Sequence, residues 1–137
     1  MKDLISAKQK LSEGKYTCVF CRDDQCFTSQ DRGIRPLLAF LDAGLPAGFC
    51  AADKVVGRGA ALLYCLLQVK QVYAQVISAD ALKILCAHNI AVEYDSLTDA
   101  ILNRRKEDLC PIEKATAGII CPQEGLPVIR QTLKTLS

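Results

Sequence analysis

One histidine serves the whole chain of 137 residues, and that scarcity excludes most nucleophile–histidine machinery. A Ser–His or Cys–His pair would have to use His88, which the pattern places in the last turn of a helix that Ser78 opens. Long apolar runs are lacking too. The longest, Ala60 to Leu67, falls far short of the ~18 residues that a membrane span requires. Basic runs are as scarce: Arg104-Arg105-Lys106 stands alone and the net charge is +2, so no nucleic-acid partner is expected. The start, Met1-Lys2-Asp3-Leu4-Ile5-Ser6, has no signal-peptide apolar core, which points to the cytoplasm. No linker, repeat or low-complexity tract interrupts the chain.

What is present describes an ordinary globular protein. Half of the residues are apolar and 23% are charged, which suits a single domain over residues 1–137. Eight cysteines, at 18, 21, 26, 50, 65, 86, 110 and 121, could suggest a disulfide framework. The apolar content makes such staples unnecessary, so most are read as reduced thiols, Cys65 and Cys86 as small core hydrophobes. Cys18, Cys21 and Cys26 superficially resemble a metal knuckle. On strands their spacing separates the faces unless a turn intervenes, and Cys50 would have to come from elsewhere in the sheet.

Local patterns give an element order. Residues 2–13 read as a helix with Leu4, Ile5, Lys8 and Leu11 on its face and Gly14 as its stop. Tyr16 to Cys21 and Gln25 to Ser29 form a hairpin about Asp23-Asp24. Pro36 starts a helix that Gly44 and Pro46 end. Gly48 to Ala51 is a short strand, and Asp53 opens a long helix to about Gln68. Strand Gln71–Ile77 leads into a helix capped by Ser78 and closed by Asn89, followed by strand Ile90–Tyr94. Short helices near 96–102, 111–118 and 124–136 complete the chain. This alternation predicts an α/β fold, a three-layer α/β/α sandwich on a mixed five-stranded sheet.

That order resembles the cytidine-deaminase-like fold. More narrowly, Asp31-Arg32-Gly33-Ile34-Arg35-Pro36-Leu37-Leu38, Ala52-Asp53-Lys54-Val55-Val56-Gly57 and Asn103-Arg104 followed by Cys110-Pro111-Ile112-Glu113 are similar to segments of a small prokaryotic family of unknown function. It forms a divergent, zinc-less branch of that superfold. The deaminases carry His or Cys, a Glu and a Pro-Cys-x-x-Cys at two adjacent helix N-termini. The resemblance places Ala51, Asp53, Ser78 and Ala81 at those positions, and neither Ala nor Ser completes a four-coordinate zinc site. No metal ligand and no cofactor is therefore expected.

The candidate site follows. Asp53 and Lys54 are the catalytic candidates, an acid/base beside a cation, although Asp53 would equally serve as a helix cap. Gly57 and Gly59 in one helical turn cost about 1 kcal/mol each against Ala, so close packing or ligand approach is being served. Ser78 caps its helix or donates to a ligand. Two empty helix N-termini would make an anion site. Arg32, Asn103 and Arg104 join from neighbouring loops. Asn103, Arg104, Cys110 and Glu113 form a second cluster of ligand-binding candidates, with Cys110 at a helix start that favours a thiolate. The expectation is a cytoplasmic protein that binds a small anionic, nucleotide- or nucleoside-like ligand. A zinc-independent enzyme using Asp53 stays open as an alternative, as does a cysteine-based metal or redox protein. Homo-oligomers are common among deaminase-like folds, but no stripe identifies an interface.

Overall fold

The computed structural model describes residues 2–31, 33–102 and 110–136. Leu4, Ala7 and Leu11 recur at helical spacing, so α1 (Lys2–Glu13) buries one stripe against the sheet. Ile5, expected on that stripe, faces solvent at 62% exposure. The hairpin forms as predicted from β1 (Cys18–Arg22) and β2 (Gln25–Ser29), with Asp23 in the left-handed region at φ 54°. Then come α2 (Arg35–Asp42), β3 (Cys50–Val56), α3 (Arg58–Leu67), β4 (Gln71–Ser78), α4 (Ala79–Ala87) and β5 (Ala91–Thr98). Two helices, α5 (Pro111–Ala115) and α6 (Pro122–Leu136), close the chain.

The sheet has five strands in the order β2-β1-β3-β4-β5. β1 runs antiparallel to both neighbours, while β3, β4 and β5 are parallel. This is a mixed-sheet α/β fold. On one face, α1 packs on Val19, Cys21, Cys50, Ala52 and Tyr73. On the other, α2, α3 and α4 pack on Cys18, Phe20, Ala51, Val72 and Ala74. Helix α3 is apolar almost all round because the sheet lies beneath it and α5 and α6 cover its outer side. Gly125 of α6 permits that contact, since a Cβ there would lie 2.7 Å from Leu62 Cδ1.

Two helix expectations are corrected: the long helix after β3 starts later than Asp53, and the short helix near 96–102 does not form. Residues 53–56 belong to β3, so Asp53 and Lys54 do not start a helix; α3 begins five residues later. Ala52 and Lys54 favour helix locally, but pairing with β4, and with β1 as far as Asp53, overrides that weak preference. Residues 96–98 likewise extend β5, because Ser96, Leu97 and Thr98 pair with the end of β4. Among the described residues no helix is long and apolar enough to cross a membrane.

The cysteines divide by face. Cys18 points toward α3, while Cys21, Cys26 and Cys50 lie on the α1 side. The Asp23-Asp24 turn brings Cys21 opposite Cys26, and the two form a disulfide; the other six are free. Among the described residues no cluster of three or more His, Cys, Asp or Glu side chains is placed to hold a metal ion.

Candidate functional site

β3 outruns β1. Their pairing stops at Cys18 opposite Asp53, followed by one bond from Lys54 N–H to the Thr17 carbonyl at 3.3 Å. Beyond it the carboxyl end of β3 opens into a crevice, the usual place for ligands in open α/β sheets. Three hollows of about 110, 210 and 520 Å3 adjoin there and share Gly33 and Val55 in their walls. The 210 Å3 hollow is lined by Thr17, Asp53 and Lys54. The other two are mostly apolar, walled by Ile34, Ile112 and Cys110, with Leu133 and Leu136 at the outer end.

Asp53 is the buried polar centre of this region, with 6% exposure. Its carboxylate accepts a 2.7 Å hydrogen bond from the Tyr64 hydroxyl of α3, and the neighbouring Lys54 and Val55 backbone favours its charged form. Strand alternation slips beside it, so Val55 is exposed while Val56 enters the core. Burial dominates its titration and pushes the carboxyl up to about 7, against the lowering effect of its hydrogen bonds. Tyr64 also lies 3.7 Å from Cys18 Sγ. Burial first, and Asp53 second, push both the tyrosine and the thiol well up, so Cys18 stays a thiol rather than a nucleophilic thiolate.

The N-terminus of α3 is already filled. The Glu113 carboxylate of α5 accepts from the Arg58 N–H at 2.5 Å, an end cap delivered across 55 positions of sequence. Gly57 makes room for it: its backbone is extended at φ −101°, and a Cβ would lie 1.7 Å from Glu113 Oε1. Burial raises the Glu113 carboxyl, opposed by that hydrogen bond. Gly59 performs the same service for Ile112, whose Cγ2 would meet a Cβ at 2.3 Å. The Arg58 side chain then bonds Asp80 in the first turn of α4, and its buried Nε has no partner among the described residues. Ser78 caps α4 by accepting from Ala81 N–H at 3.2 Å.

The structure gathers Asp53, Lys54 and Gly57 with Cys110 and Glu113 of the second cluster around adjoining hollows, in roles other than those expected. Asp53 is not a cap. Gly57 and Glu113 hold each other rather than an open ligand site. Ser78 is buried at the α4 start and lines none of the three hollows, so it reaches them only through the Asp80–Arg58 pair. The paired helix N-termini are not an empty anion site, because Glu113 and the Ser78 hydroxyl occupy them. Cys110 is the N-cap residue of α5, as its Pro111 predicted. Arg32, Asn103 and Arg104 lie outside the described residues.

Sequence reasoning missed Tyr64, Arg58 and Asp80. Each left a signal. A tyrosine inside an apolar helix needs a hydroxyl partner. A cation in the first turn of α3 opposes the helix dipole and calls for a neighbouring anion.

A sequence-family model described as "Domain of unknown function (DUF1893)" matches residues 6–133. The crystal structure of a DUF1893 family protein, TM1506 from Thermotoga maritima, superposes with a TM-score of 0.84 at 26% identity. The match covers 98% of this chain and 91% of that one. No protein of curated function matches.

Proposed function

We propose, on the premise that this chain belongs to the DUF1893 family, that it acts as a single cytidine-deaminase-like domain binding a small nucleoside- or nucleotide-like ligand. The observation that carries this reading is the continuous cleft at the end of β3, polar at one end and apolar along the rest. Ile34, Val55 and Ile112 offer flat apolar walls for a ring. Asp53, near half-protonation at neutral pH, suits the donor and acceptor edge of a heterocycle. The exposed Lys54 ammonium suits a phosphate or carboxylate at the mouth.

Zinc chemistry does not fit these residues. The two helix starts that would surround a metal present Gly57, Arg58 and Gly59 on α3 and Ser78 to Ala81 on α4. The single carboxylate among them, Asp80, already holds the Arg58 guanidinium. A fixed cation stands where a metal ligand would be needed, so no metal-assisted step is derived. The order of strands and the two converging helix starts support the deaminase-like assignment as architecture alone.

One observation favours catalysis as a second reading. A cleft carboxyl titrating near 7 is matched to general acid/base work at neutral pH.

A thermal-shift screen of the reduced protein against bases, nucleosides and nucleotides tests both readings. A ligand that raises the melting temperature, with the gain reduced in Lys54→Ala and abolished in Asp53→Ala, supports the binding site. Absence of any shift across the panel overturns it. Turnover of the bound ligand that disappears in Asp53→Asn while binding persists would move the assignment to the enzyme.

A further inference from the structure

The α1 face of the sheet carries a second chemistry-bearing site, remote from the cleft. The two-residue turn makes Arg22 and Gln25 the hydrogen-bonded pair that closes the hairpin. Cys21 and Cys26, one step further along, therefore form a non-hydrogen-bonded pair, where opposing side chains come closest. Their Cα atoms are 4.2 Å apart. Cys50 of β3 is the partner of Cys21 on its other side, so three sulfur residues lie abreast across β2, β1 and β3. All three belong to the cluster under α1, and the Asp3 carboxylate at the start of α1 accepts from the Asp23 N–H in the turn at 3.0 Å.

Exposure separates their roles. Cys21 and Cys50 are closed off, at 0% and 1%, whereas Cys26 is half-buried on the outermost strand. A bridge that spans five positions of sequence closes a small loop and constrains the unfolded chain less than a long-range bridge would. It links strands that the turn already holds in register. Structural stapling is a poor account of it.

We propose that Cys21 and Cys26 form a reversible dithiol–disulfide site that exchanges with low-molecular-weight thiols and disulfides through Cys26. In the reductive direction an external thiolate attacks the Cys26 sulfur. A new S–S bond forms there while the Cys21–Cys26 bond breaks, and the Cys21 sulfur leaves with the electron pair and takes up a proton. A second external thiolate attacks the external sulfur of that mixed disulfide and releases Cys26 as its thiolate. The net result is two protein thiols and one external disulfide; oxidation by that same class of disulfide runs the steps backward. Cys50, free and buried, takes no part in the entry step.

The test equilibrates the full chain in glutathione buffers running from fully reduced to fully oxidised, then quenches, alkylates and maps every cysteine by mass spectrometry. The Cys21–Cys26 bridge is expected to appear and vanish across the series. In Cys21→Ser the glutathione adduct is expected on Cys26, about tenfold above the adduct on Cys21 in Cys26→Ser, because only Cys26 is reachable. Free alkylation of both residues in oxidised glutathione overturns the proposal, as does a bridge that reduced glutathione never opens. A bridge from Cys21 to Cys50 in the unmodified chain overturns the assignment of Cys26 as the entry sulfur. The wild-type titration decides the case even if a variant fails to fold.

Discussion

Helices α3 and α4 start at the ends of adjacent parallel strands, yet they satisfy their first N–H groups in opposite ways. α4 is capped from within by Ser78, three residues from the amide it serves. α3 begins at a bare Gly57 and borrows its cap from Glu113 on another helix. The contrast continues inward: α3 reaches Asp53 through Tyr64 and Asp80 through Arg58, so its polar contacts are long-range. One helix start is a local device, the other an assembly of distant parts. The assembled one borders the cleft.

The largest effect expected on this contrast comes from Asp53, the buried partner of α3. With its carboxyl near 7 in the folded chain and about 3.9 unfolded, the folded state binds the extra proton between those values. Stability therefore falls as pH rises from about 4 to 7 and levels off above, by an amount on the order of a few kcal/mol. Asp53→Asn keeps the shape and removes the titration. Urea midpoints at pH 4.5, 6 and 8 should decline in the wild type and decline far less in the variant. Parallel slopes would mean that Asp53 is ionised and solvated, and that α3 has no buried carboxyl beneath it.

Next in size is the borrowed cap. Glu113→Ala should cost about 2 kcal/mol, more than a surface cap, because it strips a part-buried amide of its acceptor and empties the space of a buried side chain. Gly57→Ala should cost a similar amount by expelling the carboxylate that its Cβ would meet. The two losses share one cause, so the double variant should fall well short of their sum. Additive losses in denaturant titrations would separate Gly57 from Glu113 and leave α3 with an ordinary solvated start.

The same contrast marks what the sequence disclosed. Ser78, Asn89, Gly14 and the Asp23-Asp24 turn act within a few residues of themselves, and the elements they bound were read nearly to the residue. The parallel order followed from strand–helix alternation. Residues 53–56 carry a helix-like local pattern, and what makes them strand is chiefly their pairing with β4, which no local pattern carries. Of the site, Asp53, Gly57, Cys110 and Glu113 stand out in the sequence as candidates, but as two clusters; the structure places them along adjoining hollows. Their jobs were not legible, because Gly57 against Glu113 and Tyr64 against Asp53 are contacts across the fold.

The smallest effect belongs to the local device. Ser78→Ala removes one acceptor for the Ala81 N–H and should cost about 1 kcal/mol, the usual worth of such a cap. The loss should stay within α4: amide exchange should quicken in its first turn and remain slow at Arg58 and beyond. That locality is what distinguishes the two starts. Asp80 sits in the same turn and holds Arg58, so any fraying that spreads would reach α3 through that pair. Faster exchange at both helix starts in Ser78→Ala would show that α4 is no independent unit. The cleft would then rest on a single cooperative block joining Ser78, Asp80, Arg58 and Glu113.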